Sequence, residues 1–263
     1  MILFRVCTIV NDFKQYKRFE ESFSAAGFTD QNTIFQCLDN SESNVHEPYS
    51  AFNAVLEHSS EPYIIFCHQD IILDQGHDFD NLLDRVKEMD SLFPRWAVLG
   101  NAGVNTEFQA IRRITDPYGS DHFMPLPQRV VSLDENFLIL HPKTGVRFSS
   151  GLRGFHFYGP DICLNAMSRG NTCHVIDFHL THISGGNYDR RFSAAKVAFE
   201  EYWGEYFFFT YLPTVTTTVL LTRFKPLRWL FAKGRVFKYM YKHYPMQYRK
   251  KLDEVEPTLC KIG

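Results

Sequence analysis

Within its first seventy residues the chain alternates three short apolar runs with two amphipathic segments, and a β-α-β-α-β order of that kind leaves few folds open. Residues 3–10 read as a strand, and residues 14–26 as a helix with Phe19 and Phe23 on one face, stopped by Gly27. Residues 33–38 make a second strand. Pro48 opens a second helix where a missing N–H costs nothing, and Tyr63, Ile64, Ile65, Phe66 and Cys67 make a third strand. Strands joined by helices run parallel and are buried on both faces, which is what continuous apolar runs supply. The expectation is an α/β fold with a mostly parallel central sheet flanked by helices.

The pattern continues with a helix over 79–92 and a strand over 96–100, then loosens. Residues 105–128, rich in Asp, Pro, Gly and Arg, show little periodicity and read as a functional loop or lid. Strands over 129–133 and 137–140 flank Asp134 and Glu135; a helix over 161–168, a strand over 173–176 and a helix over 193–206 follow. A hydrophobic fraction of 44% supplies a real core for a main domain over 1–210. Residues 211–263 read as a basic, aromatic, helical extension. The stretch 223–252 carries ten Lys and Arg and no acid, which leaves net −12 for the rest once those ten are taken from the total of −2. Such a segment suits an anionic membrane surface, or else packs on its own acidic domain. Six cysteines without a CxxC pair, a start that runs directly into a strand, and apolar stretches shorter than about 18 residues point to a reducing, cytoplasmic location, peripheral to the inner face of the membrane if the tail binds it.

Ligands of open α/β sheets collect outside the carboxyl ends of the strands. His68, Gln69 and Asp70 stand at such an end, and His182, followed by Ile183, Ser184, Gly185 and Gly186, comes after another apolar strand. One Asp and one distant His suffice to hold a phosphate-bound divalent ion, and the softer imidazole favours Mn²⁺ over Mg²⁺. Asp70 at a strand end can also simply cap the next turn. A phosphate loop ending in Gly-Lys-Ser/Thr, a G-x-G-x-x-G turn after the first strand and a G-x-S-x-G elbow are all missing, which argues against P-loop kinases, ordinary dinucleotide oxidoreductases and α/β-hydrolases.

Three segments, 66–71, 154–164 and 182–186, resemble in order and spacing the motifs of bacterial family-2-like glycosyltransferases of the GT-A (Rossmann-like) fold, in the subgroup whose metal motif is His-Gln-Asp. The resemblance spans about residues 3–206. It implies a metal-dependent inverting glycosyltransferase moving a sugar from a nucleotide-diphosphate sugar to a glycan or lipid-linked saccharide, as in polysaccharide biosynthesis, with no nucleic-acid partner. Asp70 then takes the metal-binding place of the last acid of Asp-x-Asp, His68 and Gln69 fill the rest of that motif, and His182 approaches the metal, Mn²⁺ or Mg²⁺. Gly185 and Gly186 let backbone approach phosphate. Asp39 and Asn40 match the contacts to nucleobase and ribose, and Asn53 the helix under the nucleotide. The family often writes an acidic pair before its Leu-Cys-Leu; here Gly159 replaces the earlier acid, which leaves Asp161 as the expected base, or else as a cap of the helix that follows. Asp134 and Glu135 lie where they can hydrogen-bond donor-sugar or acceptor hydroxyls, or else form a plain strand turn; Arg112 and Arg113 can clamp phosphate or stand solvated on a loop; His156 can orient the base segment or sit as a satisfied core histidine, the commoner case. Two rival readings use the same crevice: a non-catalytic sugar-nucleotide-binding or membrane-docking subunit, and a sugar-phosphate nucleotidyltransferase.

Overall fold

The computed structural model describes residues 2–186 and 189–231, the side chains of Trp229 and Leu230 excepted. Strand β1 (Phe4–Val10) leads into α1 (Phe13–Ala25), where the Asp12 carboxylate accepts from the free N–H groups of Lys14 and Gln15. Gly27, at φ +84°, turns the chain out of that helix. Then come β2 (Thr33–Asp39), α2 (Pro48–His58) with Pro48 in its first turn, and β3 (Tyr63–Cys67). Both β2 and β3 pair with β1 in parallel, as the βαβ order requires.

The sheet as a whole is mixed, which corrects the mostly parallel expectation. After β4 (Ile71–Leu73) and α3 (Phe79–Leu92) come β5 (Trp96–Gly100), β6 (Ala102–Val104), β7 (Ala110–Asp116), β8 (Gly119–His122), β9 (Gln128–Val130), β10 (Ser132–Leu133) and β11 (Phe137–Leu140). Helix α4 (Tyr158–Ser168), β12 (Thr172–Val175), β13 (Leu180–His182) and α5 (Arg190–Gly204) complete the core. The large sheet runs β2-β1-β3-β11-β5-β12-β9. In it β11 lies antiparallel between β3 and β5, and β9 antiparallel on β12. A second sheet runs β10-β6-β7-β13-β4 and is antiparallel except for β13 on β7. A strand buried on both faces has the same apolar composition whichever way it runs, so strand direction is not written in periodicity.

Residues 105–128, expected as a loop, contain the β7–β8 hairpin. The expected helical extension starts instead with a hairpin of β14 (Thr210–Pro213) and β15 (Thr218–Leu221), whose Leu212, Val219 and Leu221 are buried in the same core as α4 and α5. Helix α6 (Lys225–Phe231) follows; residues 232–263 of the expected basic tail lie outside the described residues.

Alternate residues of β3 feed two cores. Ile64 and Phe66 face the layer of α2, α4 and α5, while Ile65 and Cys67 face Phe19, Phe23, Leu82 and Val86 of α1 and α3. Cys7, Cys67, Cys163 and Cys173 are buried, whereas Cys37 is exposed because β2 is an edge strand. Phe66 is fully buried and stacks on Phe52 at 4.1 Å between ring centroids, which locks α2 to the sheet just before the strand end that carries His68. Phe66→Ala is expected to lower unfolding free energy by about 3–5 kcal/mol, measured by urea titration.

Candidate metal centre and its surroundings

Strand pairing brings the widely separated motifs together. In the second sheet β13 runs antiparallel to β4 with His182 opposite Ile71, and the Ile183 N–H donates to the Asp70 carbonyl at 3.0 Å. His182, at the carboxyl end of β13, therefore meets Asp70 where β3 gives way to β4. In the large sheet β11 runs antiparallel to β3 with Phe137 opposite Cys67, and the His68 N–H donates to the Asn136 carbonyl at 3.0 Å. The turn carrying Asp134 and Glu135 is thereby fixed beside His68.

His182 Nε2 lies 3.2 Å from Asp70 Oδ1 and 3.3 Å from His68 Nδ1, and His68 Nδ1 lies 4.0 Å from Asp70 Oδ1. The three side chains can each offer one ligand atom with all of these atoms within 4.8 Å of one another. Two imidazoles and a carboxylate form a donor set suited to Mn²⁺ and related ions better than to Mg²⁺. The other nitrogen of His68, Nε2, is 2.9 Å from the Tyr158 hydroxyl, which orients the ring with Nδ1 toward the cluster. Ser184 Oγ lies 3.4 Å from His182 Nε2.

The electrostatics favour cation binding. Burial alone would raise the Asp70 carboxyl, but the hydrogen bond from His182 and the two neighbouring rings overcome it and hold Asp70 well below the usual carboxylate range. His182 feels burial in the other direction, and the Asp70 carboxylate outweighs it, so its ring keeps a proton to higher pH than usual. His68 is held below the ordinary histidine range by burial and by His182, and so stays neutral as a ligand must. A divalent cation would take the place of the His182 proton.

Other expected site residues have structural partners. Gln69 Oε1 accepts from the N–H groups of Asn11 and Asp12 at 2.9 and 3.0 Å, which ties the β1–α1 turn to the end of β3. Asp39 is exposed and accepts from Ser41 N–H, whereas Asn40 is buried, with its amide bonded to the backbone of Val45 and His46. Asn53 pairs both ways with the backbone of Phe148, at 2.8 and 2.9 Å. Arg112 is committed to Asp116 and Asp121. His156 is half-buried against Phe192, and its carbonyl accepts from Tyr49. Gly185 lies under Tyr118 of the β7–β8 turn, where an added Cβ would come 2.8 Å from the hydroxyl, and Gly186 holds φ +77°.

Asp161 departs most from expectation. Helix α4 begins at Tyr158, one turn earlier than the sequence suggested, because Pro160 is tolerated in a first turn. Asp161 therefore sits on the inner face of that turn with no exposed surface. Its oxygens accept from Ser149 N–H at 2.8 Å, Ser149 Oγ at 2.6 Å, Trp203 Nε1 at 2.8 Å and Asn165 Nδ2 at 3.2 Å. A carboxylate enclosed by four donors has no path to an acceptor hydroxyl, so the expected base is a structural anchor joining α4, the 149 loop and α5. Tyr158, which bridges His68 and the Glu135 carbonyl, was missed, because a Tyr just before a Gly-Pro pair reads as turn or core.

Comparison with known proteins agrees on the fold. No protein-family model matches the chain. It is 34% identical over 229 residues to the Fuscovulum blasticum protein named ATP synthase subunits region ORF 6, covering 84% of this chain and 91% of that one. Among solved structures, S. aureus TarS 1-349 in complex with UDP-GlcNAc superposes with a TM-score of 0.54 at 12% identity over 78% of this chain and 65% of that chain. GalNAc-T7 with UDP, GalNAc and Mn²⁺ gives 0.48 at 9% identity over 79% and 50%. This chain thus spans less than two thirds of either solved chain, and the TarS likeness shows a shared GT-A-like α/β fold.

The Asp161 geometry has a consequence for pH. Burial, only partly offset by the bonds from Ser149, Trp203 and Asn165, raises this carboxyl to about 6. A folded value above the unfolded one, about 3.9, means that its contribution to stability is full below about pH 4 and is lost as pH rises through about 6. Asp161→Asn removes that titration. Between pH 4 and pH 7 wild type should lose stability relative to the variant, read as a fall in its urea midpoint against that of Asp161→Asn, by the equivalent of about 2–3 kcal/mol.

Proposed function

We infer the function from the site itself, because the chain belongs to the family of the Fuscovulum blasticum ATP synthase subunits region ORF 6 protein, whose name states no reaction. The reading that the geometry supports best is a metal-dependent inverting glycosyltransferase that uses a nucleotide-diphosphate sugar. The observation that carries it is the convergence of His68, Asp70 and His182 at the strand ends of a GT-A-like fold, where a nucleotide ligand would lie. TarS, which shares the fold, was crystallised with UDP-GlcNAc, and that supports the same donor class here.

His68, Asp70 and His182 would hold the divalent ion. When bound, it neutralises charge on the diphosphate as that group leaves. The remaining work falls to the chain's own groups. Tyr158 and Gln69 keep the motif in place, the first by aiming His68 and the second by tying the β1–α1 turn to it. The Gly185–Gly186 segment, which follows His182 in the chain, would offer backbone to phosphate oxygens, with Gly185 under the side chain of Tyr118.

The acceptor reading is a glycan or a lipid-linked saccharide, and an exposed aromatic patch around Arg223 supports membrane contact. Phe208 is 64% exposed and Phe224 38%, with the Arg223 guanidinium 5.7 and 5.2 Å from their ring centres. This aromatic and cationic patch begins the stretch of ten basic residues, a composition suited to the inner face of an anionic membrane. Among the described residues no helix is long and apolar enough to cross a membrane.

Two measurements test these readings. With Mn²⁺, one family of nucleoside diphosphates should raise the melting temperature, and EDTA or Asp70→Ala should abolish the shift; no shift with any nucleotide would overturn the donor class. A shift without turnover across a broad acceptor set would favour the non-catalytic subunit. Separately, the full chain should bind phosphatidylserine vesicles in a salt-sensitive way. Replacing Lys233, Arg235, Lys238 and Lys242 by Ser should weaken that binding by roughly 1 kcal/mol per charge, and unchanged binding would remove the membrane role.

A further inference from the structure

With Asp161 enclosed, the site needs another carboxylate to accept a proton, and one lies against the start of α4. Glu135 sits in the turn between β10 and β11, and its carboxylate receives the N–H groups of Phe157, Tyr158 and Gly159. Phe157 reaches this arrangement at φ +66°, a left-handed conformation that a bulky residue rarely adopts. A Cβ built on Gly159 would come 2.4 Å from the Leu133 carbonyl and 3.1 Å from Glu135 Cγ. The helix is therefore docked so closely on this turn that residue 159 can have no side chain, and the acidic group at the helix start comes from Glu135. The same residue reaches the metal cluster through Tyr158, whose hydroxyl donates to the Glu135 carbonyl at 3.1 Å and lies 2.9 Å from His68 Nε2. Glu135 is partly open to solvent, whereas Asp161 has no exposed surface.

We propose that Glu135 is the general base of the transfer, taking the proton of the acceptor hydroxyl. This rests on the glycosyltransferase reading above and adds to it the residue that activates the acceptor. The acceptor O–H bond breaks toward the Glu135 carboxylate as the acceptor oxygen bonds to the anomeric carbon of the donor. The bond from that carbon to the diphosphate oxygen breaks, and its electron pair leaves with the nucleoside diphosphate. Glu135, now protonated, returns its proton to water. Burial and the neighbouring Asp134 carboxylate raise the Glu135 carboxyl to about 8 against the pull of the three N–H groups, which makes it a stronger base than an ordinary glutamate.

Glu135→Gln and Glu135→Ala test this, alongside wild type, with the nucleoside diphosphate and Mn²⁺ as the binding probe and sugar transfer as the activity probe. Both variants should keep the Mn²⁺-dependent thermal shift and lose transfer by about 10²–10⁴-fold. Formate, a small carboxylate able to enter the space left in Glu135→Ala, should restore part of the lost rate. Transfer by Glu135→Gln within threefold of wild type would overturn the assignment, and loss of the thermal shift in both variants would make Glu135 a donor-holding residue instead. Wild type that shows no thermal shift and no transfer defeats the glycosyltransferase reading itself, an outcome distinct from either of these.

Discussion

The antiparallel insertion of β11 beside β3 organises the rest of the molecule. Its register, Phe137 opposite Cys67, puts the amino end of β11 at the carboxyl end of β3, so the turn that enters β11 becomes a wall of the crevice. A parallel strand there would have delivered its preceding turn to the amino end of β3, away from the site. The pairing of β13 with β4 acts in the same way on the other side, with His182 opposite Ile71. Two antiparallel pairings thus gather residues 68, 70, 134, 135 and 182 around one point, and the hydrogen bonds that hold them are those of the sheets themselves. Both faces of β3 are packed, so a one-residue slip would swap Phe66 and Ile65 between two differently shaped cores, and the packing therefore protects the geometry of the site.

Two carboxylates packed against α4, one enclosed and one partly open, show how environment assigns roles. Asp161 accepts four hydrogen bonds, two from Ser149 and one each from Trp203 and Asn165, and these link three elements of the core. Each of its two oxygens takes two of these bonds, so the carboxylate is satisfied without solvent. Glu135 receives backbone N–H groups only, faces a second acid in Asp134, and is partly open. Backbone donors at a helix start neutralise a carboxylate without enclosing it, which leaves room for a proton to arrive and leave.

The strands, helices and motif order were legible because they depend on periodicity and on a few residue types. Helix α3 and strand β5 appear with the expected bounds, Pro48 stands in the first turn of α2, and His68, Asp70 and His182 meet. What was not legible depends on pairing. The direction of β11 leaves no mark on the run from Phe137 to Leu140, and the β7–β8 hairpin hides in a polar stretch because its second strand is exposed along its length. The role of Asp161 hinged on where α4 starts. Placing the start at residue 161 makes that Asp an exposed cap, and starting one turn earlier, at Tyr158, turns it inward. Asn40 and Asn53 show the same limit, since an Asn that braces a loop and one that meets a ligand look alike until their partners are known.

Gly159 joins these threads. In sequence it looks like a loss, a position without the acid that the resembling family places there. In the structure it is a steric requirement, because the Leu133 carbonyl occupies the volume that any Cβ would need. The close docking that forbids a side chain at 159 also brings the N–H groups of residues 157–159 onto Glu135 and the Tyr158 hydroxyl onto both the Glu135 carbonyl and His68. One backbone approach therefore removes an acid from the helix, positions another opposite it, and ties the backbone of that second residue to the metal cluster through a single phenol. Restoring an acid at 159 would push the helix off the turn and break all three relations, so the missing side chain at 159 is what lets Glu135 stand at the helix start.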